Sequence, residues 1–120
     1  MTPDQLRTYC LSLNGAVEDR PFPGSPGLSA FKVGGKIFAF CSLDDSPLRV
    51  SLKCEPELAV QLRQAHAAVS PGYHLNKRHW NTVVIDGTLP ERMVRDLVED
   101  SYDLVVAGLP RRERLLLDRP

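Results

Sequence analysis

No stretch of this 120-residue chain holds anything near the roughly 20 consecutive apolar residues that a bilayer-spanning helix needs. The first fifteen residues, MTPDQLRTYCLSLNG, lack a basic region followed by an apolar run, so a signal peptide is not expected and the cytoplasm is the expected compartment. Cysteine is scarce. Cys10, Cys41 and Cys54 are isolated, odd in number and free of any CxxC spacing, which speaks against a disulfide framework and a cysteine zinc site. They read as small apolar fillers. The glycine patterns GxGxxG and GxxxxGK[ST] are absent, as are GxSxG and HExxH, so nothing points to a dinucleotide fold, a phosphate loop, a serine hydrolase elbow or a helical zinc site. Charge of one sign is lacking too: 15 Lys/Arg balance 15 Asp/Glu, which argues against a strongly electrostatic nucleic-acid binder.

What is present fits one soluble domain spanning residues 1–120. Hydrophobic content is 42% and charged content 25%, both ordinary for a globular chain. The balanced charge is unevenly spread. Residues 49–80 carry Arg49, Lys53, Arg63, Lys77 and Arg78 against Glu55 and Glu57 only, and hold all three histidines, His66, His74 and His79.

The element order follows from pattern. Thr2-Pro3-Asp4-Gln5 is a helix start with a capping box, and Leu6, Tyr9, Cys10 and Leu13 share a face before Asn14-Gly15 ends it. Residues 16–28 are rich in Pro and Gly and read as a surface loop or irregular edge. Ala30 to Val33 and Lys36 to Phe40 flank Gly34-Gly35 and predict a hairpin, with Phe38 and Phe40 sharing a face. Leu48 to Leu52 is a third strand with Leu48, Val50 and Leu52 on one side. Pro56 opens a second helix behind Glu55, a weak cap. Leu75 and Trp80 are expected as core anchors, Asn76 to Trp80 as one helical turn, and Thr82 to Ile85 as a buried strand. Thr88-Leu89-Pro90-Glu91 predicts a second capping box opening a long helix that Gly108 stops, and Pro110 opens a last short helix, Arg111 to Leu117. The expected fold is α+β: a two-layer sandwich, antiparallel sheet with helices on one side.

The functional candidate is the stretch Ser70 to Gly87. Tyr73, His74, Lys77, Arg78, His79 and Trp80 put cations and rings together, a mixture that binds phosphates and stacks bases. Lys53 and Arg49 join it if their strand lies adjacent. The competing reading is structural, with Trp80 in the core and Lys77 and Arg78 solvated. No catalytic constellation, cofactor or metal site is expected, and the chain is not expected to be an enzyme.

The same stretch carries a resemblance. Ser51-Leu52-Lys53, Pro56-Glu57-Leu58, Pro71, His74-Leu75-Asn76-Lys77, His79-Trp80, Thr82-Val83, Asp86-Gly87 and Ser101-Tyr102 resemble, in order and spacing, the MmcQ/YjbR family of small bacterial proteins. Glu55 departs from the small capping residue usual there. The resemblance implies the order α-β-β-β-α-β-β-α, a double-wing or CyaY-like arrangement also similar to type III secretion chaperones. It further implies a DNA-binding label that rests on fold shape. The expected function is therefore nucleic-acid binding of unknown cellular role through a basic-aromatic surface: Lys53, Tyr73, His74, Lys77, Arg78 and His79, with the Ala30–Phe40 hairpin as a wing. The alternative is a protein-interaction or chaperone-like domain that binds a protein or peptide. The chain is expected to be monomeric, with no membrane partner.

Overall fold

A computed structural model describes residues 1–21, 23–24, 27–72 and 75–117. The order is α1 (Pro3–Ser12), β1 (Val17–Asp19), β2 (Leu28–Val33), β3 (Lys36–Ser42), β4 (Leu48–Lys53), α2 (Pro56–Ala65), β5 (Val69–Pro71), β6 (Trp80–Ile85), α3 (Glu91–Ala107) and α4 (Arg111–Leu117). The strands form one antiparallel six-stranded sheet in the order β1-β2-β3-β4-β6-β5. Within the described residues no helix is long and apolar enough to cross a membrane.

Local chemistry sets most boundaries. The Thr2 hydroxyl accepts from the Gln5 N–H, and the Gln5 side chain accepts from the Thr2 N–H, so the first capping box forms as expected. Gly34 and Gly35 both take positive φ, 57° and 78°, which a two-residue hairpin turn requires. On β4, Leu48, Val50 and Leu52 are buried while Arg49 is exposed and Ser51 half-buried, the period-two signature of a sheet covered on one face. On the covered side Leu6 and Cys10 of α1 and Val94, Val98 and Val105 of α3 pack with Phe31, Val33, Phe38, Val50 and Val83 into one core. Burial pushes the Cys10 and Cys41 thiols up to about 12, so both stay protonated fillers at neutral pH.

The segment expected as a surface loop or irregular edge supplies β1, a three-residue strand at the sheet edge whose Glu18 is tied into the structure. Three expectations need correction. Phe38 and Phe40 do not share a face. The pairing shifts between Phe31, opposite Ala39, and Lys32, opposite Ile37, so a bulge leaves Phe38 outside the ladder. Phe38 meets Tyr102 of α3 edge-to-face at 5.4 Å, while Phe40 lines the opposite side of the sheet. The second capping box does not form. Asp86 takes both the Thr88 hydroxyl (2.7 Å) and its N–H (3.0 Å), which holds the Asp86 carboxyl below its usual range. Helix α3 then starts at Glu91 with no side-chain cap. Finally, the β2–β3 hairpin is no free wing: β1 and β4 flank it, and a Cβ on Gly34 would stand 2.7 Å from Leu109 Cδ1.

Glu18 gives the first testable consequence. Its carboxylate accepts from Arg7 Nε of α1 (2.6 Å) and from the fully buried Ser29 hydroxyl (2.9 Å). Burial alone would raise its pKa; the hydrogen bonds from Ser29 and Arg7 outweigh that and lower it. A carboxylate with a depressed folded pKa contributes stability above its unfolded value of about 4.3, and that contribution is lost as pH falls through the folded value. Glu18→Ala leaves Ser29 without its acceptor and is expected to cost about 1–3 kcal/mol at neutral pH. In urea unfolding the gap between the variant and the natural protein should close toward acid pH; a gap of constant size would refute the role.

Candidate nucleic-acid interface

The sheet face away from the core holds a groove of about 700 Å³. Phe40 of β3, Arg49 and Ser51 of β4, Thr82 and Val84 of β6 and Ser70 of β5 line it, together with Leu28, Pro71, Leu75 and one carboxylate, Asp45. The register explains the row. Phe40 lies opposite Ser51, Ser51 opposite Thr82, and Thr82 opposite Ser70, so one cross-strand line carries an aromatic ring followed by three hydroxyls. The Ser51 and Thr82 hydroxyls are hydrogen-bonded at 3.0 Å. Arg49 stands one side-chain step along β4 from Ser51, on the same face. Ring, hydroxyls and guanidinium thus line one concave surface of the size that small ligands and single nucleotides occupy.

The turn leading into β6 borders this groove. Leu75 lines it, and the chain then runs through Asn76, Lys77, Arg78 and His79. The expected single turn is present. Asn76 Oδ1 accepts from the Arg78 N–H at 3.0 Å, and the Asn76 carbonyl accepts from the His79 and Trp80 N–H groups at 3.1 and 2.9 Å. Trp80 itself belongs to β6. Lys77 and Arg78 are exposed. Arg63, in the last turn of α2, braces the turn by donating to the Lys77 carbonyl and, at 2.6 Å, to Asn81 Oδ1. Among the described residues, neither Arg49, Lys77 nor Arg78 enters an ion pair.

The expected site residues do not all converge. Lys77 and Arg78 follow Leu75 in the turn and are exposed, but neither lines this groove: Arg78 lines a separate groove along α2 with Glu57, Val60 and Arg63. His79 is half-buried and serves the backbone, its carbonyl accepting from the Cys54 N–H at 2.8 Å. Lys53 pairs with Trp80 across the β4–β6 ladder and is the next position of the Arg49–Ser51 alternation, but as the last residue of β4 it also borders the groove between α2 and α3, where its backbone N–H donates to Ser101 Oγ. Tyr73 and His74 lie outside the described residues. Leu75 and Trp80 are half-buried rather than core anchors, because β6 turns Trp80 away from the Asn81 and Val83 face. Sequence reasoning missed Arg63 and the hydroxyl row. The signal for the row was the alternation of Arg49 and Ser51 with Leu48, Val50 and Leu52.

Gly72 fixes how the turn meets the sheet. A Cβ there would stand 2.8 Å from Trp80 Cβ and 3.0 Å from the Trp80 carbonyl oxygen, while the Gly72 N–H donates to that oxygen at 2.9 Å. Backbone cannot yield as a side-chain tip does. Gly72→Ala is expected to destabilise by about 1–3 kcal/mol and to loosen β5 from β6, read as faster amide exchange at Val84, whose N–H donates to the Ala68 carbonyl. Unchanged exchange would show that the contact is slack.

The arrangement defines a class: a small α+β domain with an antiparallel sheet, helices on one side and a polar-aromatic groove on the other. The family model described as YjbR matches residues 11–104, and the chain belongs to the YjbR family. It is 40% identical over 117 residues to the uncharacterized protein YjbR of Escherichia coli K12, covering 98% of both chains. Among solved structures it is similar to a Deinococcus radiodurans protein described by the domain name DUF419, with a TM-score of 0.91 and 42% identity over 99% of this chain and 89% of that one. A Pseudomonas syringae protein is also similar, with a TM-score of 0.76 and 28% identity over 87% of this chain and 98% of that one.

Proposed function

We propose that this protein binds single-stranded nucleic acid across the open face of its sheet. Lys77 and Arg78 hold phosphates at the turn, and Arg49 with the hydroxyl row positions a nucleotide whose base lies against Phe40. The observation that carries this reading is the groove itself, where an aromatic ring, hydroxyls and a guanidinium without an ion-pair partner among the described residues share one concave face, with two exposed cations two and three residues beyond its lining residue Leu75. Aromatic surface beside cations is what binds unpaired bases and their backbone. A duplex hides its base faces, so single strands are the preferred substrate. Lys53 and His79, expected among the phosphate contacts, are not used in this reading: Lys53 also borders the α2–α3 groove and His79 is half-buried.

The test is fluorescence anisotropy with labelled single- and double-stranded oligonucleotides at low salt. Single strands are expected to bind more tightly than duplex, with affinity falling steeply as salt rises. No binding at low salt would overturn the reading. The alternative, a protein-interaction surface, is favoured by a separate feature, the apolar groove between α2 and α3.

A further inference from the structure

Between α2 and α3 lies a groove of about 310 Å³ walled by Leu58, Leu62 and Leu104. Leu58 is 39% exposed, high for a leucine facing a concave apolar surface. Three carboxylates, Glu55, Asp100 and Asp103, line the groove against one cation, Lys53. Among the described residues none of the three acids enters an ion pair. Burial and repulsion from neighbouring α3 acids hold Asp100 and Asp103 above the ordinary carboxylate range, the environment that a partner's cation relieves.

The complementary surface is on the same chain. Helix α4 carries Arg111, Arg112 and Arg114, again without ion pairs among the described residues, beside Leu115 and Leu116, which are 49% and 65% exposed. It cannot serve its own groove as it stands. Leu117 is packed over Gly15, where a Cβ would collide with Leu117 Cδ2, and the Leu117 carbonyl accepts from Asn14 Nδ2, so α4 is anchored at the end of α1. The anchoring leaves Leu115, Leu116 and the arginines facing outward.

We propose that the α2–α3 groove receives helix α4 of a second copy of this chain, with Leu115 and Leu116 against the leucine walls and the α4 arginines against Glu55, Asp100 and Asp103. Each copy carries both halves, so the pairing closes as a two-fold dimer or continues head to tail. The contact is small and charge-assisted, which makes it weak and salt-sensitive. The proposal replaces the monomer expected from sequence and is independent of nucleic-acid binding.

Sedimentation of the full chain over a wide concentration range tests it. The natural protein is expected to self-associate at high concentration and low salt. Leu116→Asp and the charge reversal Asp100→Arg with Asp103→Arg should each weaken association by about tenfold or more. Both changes are at exposed positions, and circular dichroism checks that the fold is kept. Mixing the reversed groove with a reversed helix, Arg111→Glu with Arg112→Glu, should restore association between the two variants. Monomer at every concentration, or association indifferent to these changes, would overturn the proposal.

Discussion

Ser101→Ala is expected to cost about 2–5 kcal/mol, a large share of the roughly 5–15 kcal/mol that holds a domain of this size folded. Ser101 lies in the middle of α3 with no exposure. Its hydroxyl donates to the Phe38 carbonyl at 2.5 Å and accepts from the Lys53 N–H at 2.8 Å. Both backbone groups sit where the sheet ladder does not serve them. Phe38 is the residue the bulge leaves unpaired, and Lys53 ends β4 just before α2. One hydroxyl therefore repairs two sheet defects at once. Removing it strands a buried donor and a buried acceptor, and each is expensive to leave unsatisfied. Phe38 is held on the same α3 turn by Tyr102, whose own hydroxyl donates to the Asn14 carbonyl at 2.5 Å. Urea unfolding measures the loss: the midpoint should fall with the slope unchanged. A loss below about 0.5 kcal/mol would mean that water or a backbone shift replaces the hydroxyl.

The largest expected binding effect is in the basic turn. Lys77→Ala with Arg78→Ala should weaken single-strand binding by about a hundredfold or more at low salt, since each charged contact is worth roughly 1.5 kcal/mol or somewhat more. The salt dependence should also become shallower, by about 0.7 in log–log slope for each phosphate no longer neutralised. Both side chains are exposed, so stability should hold. Arg49→Ala should weaken binding while sparing the fold, because Arg49 points away from the core. A drop in affinity with no change in salt slope would assign Lys77 and Arg78 a role other than phosphate binding.

Where sequence and structure agree, a local rule had no competitor. The Thr2 and Gln5 box, the two glycines of the hairpin and the Leu48, Val50 and Leu52 alternation were each settled by neighbours within a few residues. Where they part, a second partner intervened. Thr88 had the right spacing for a cap, but Asp86 captured its hydroxyl. Phe38 and Phe40 had strand spacing, but the bulge turned them to opposite sides, and nothing in a single strand announces an extra residue in its pairing. Ser101 stood out only as half of the Ser101-Tyr102 pair in the family resemblance; its two bonds reach residues 63 and 48 positions away. The candidate site was legible as a cation-rich segment but not as a surface. Lys53 and Lys77 belong to the same basic stretch, yet Lys53 ends β4 beside the α2–α3 groove and Lys77 sits in an exposed turn braced by Arg63 of α2. Arg63 was visible only as a charge until α2 brought it beneath the Lys77 carbonyl.

The measurement that bears most directly on the central claim is amide chemical-shift mapping of the labelled protein during titration with a short single-stranded oligonucleotide at low salt. The account predicts shifts concentrated at Phe40, Arg49, Ser51, Ser70 and Thr82 and along the Lys77–Arg78 turn, with Leu58, Leu62 and Leu104 in the α2–α3 groove unmoved. Shifts confined to the helical side, or none at all, would contradict it.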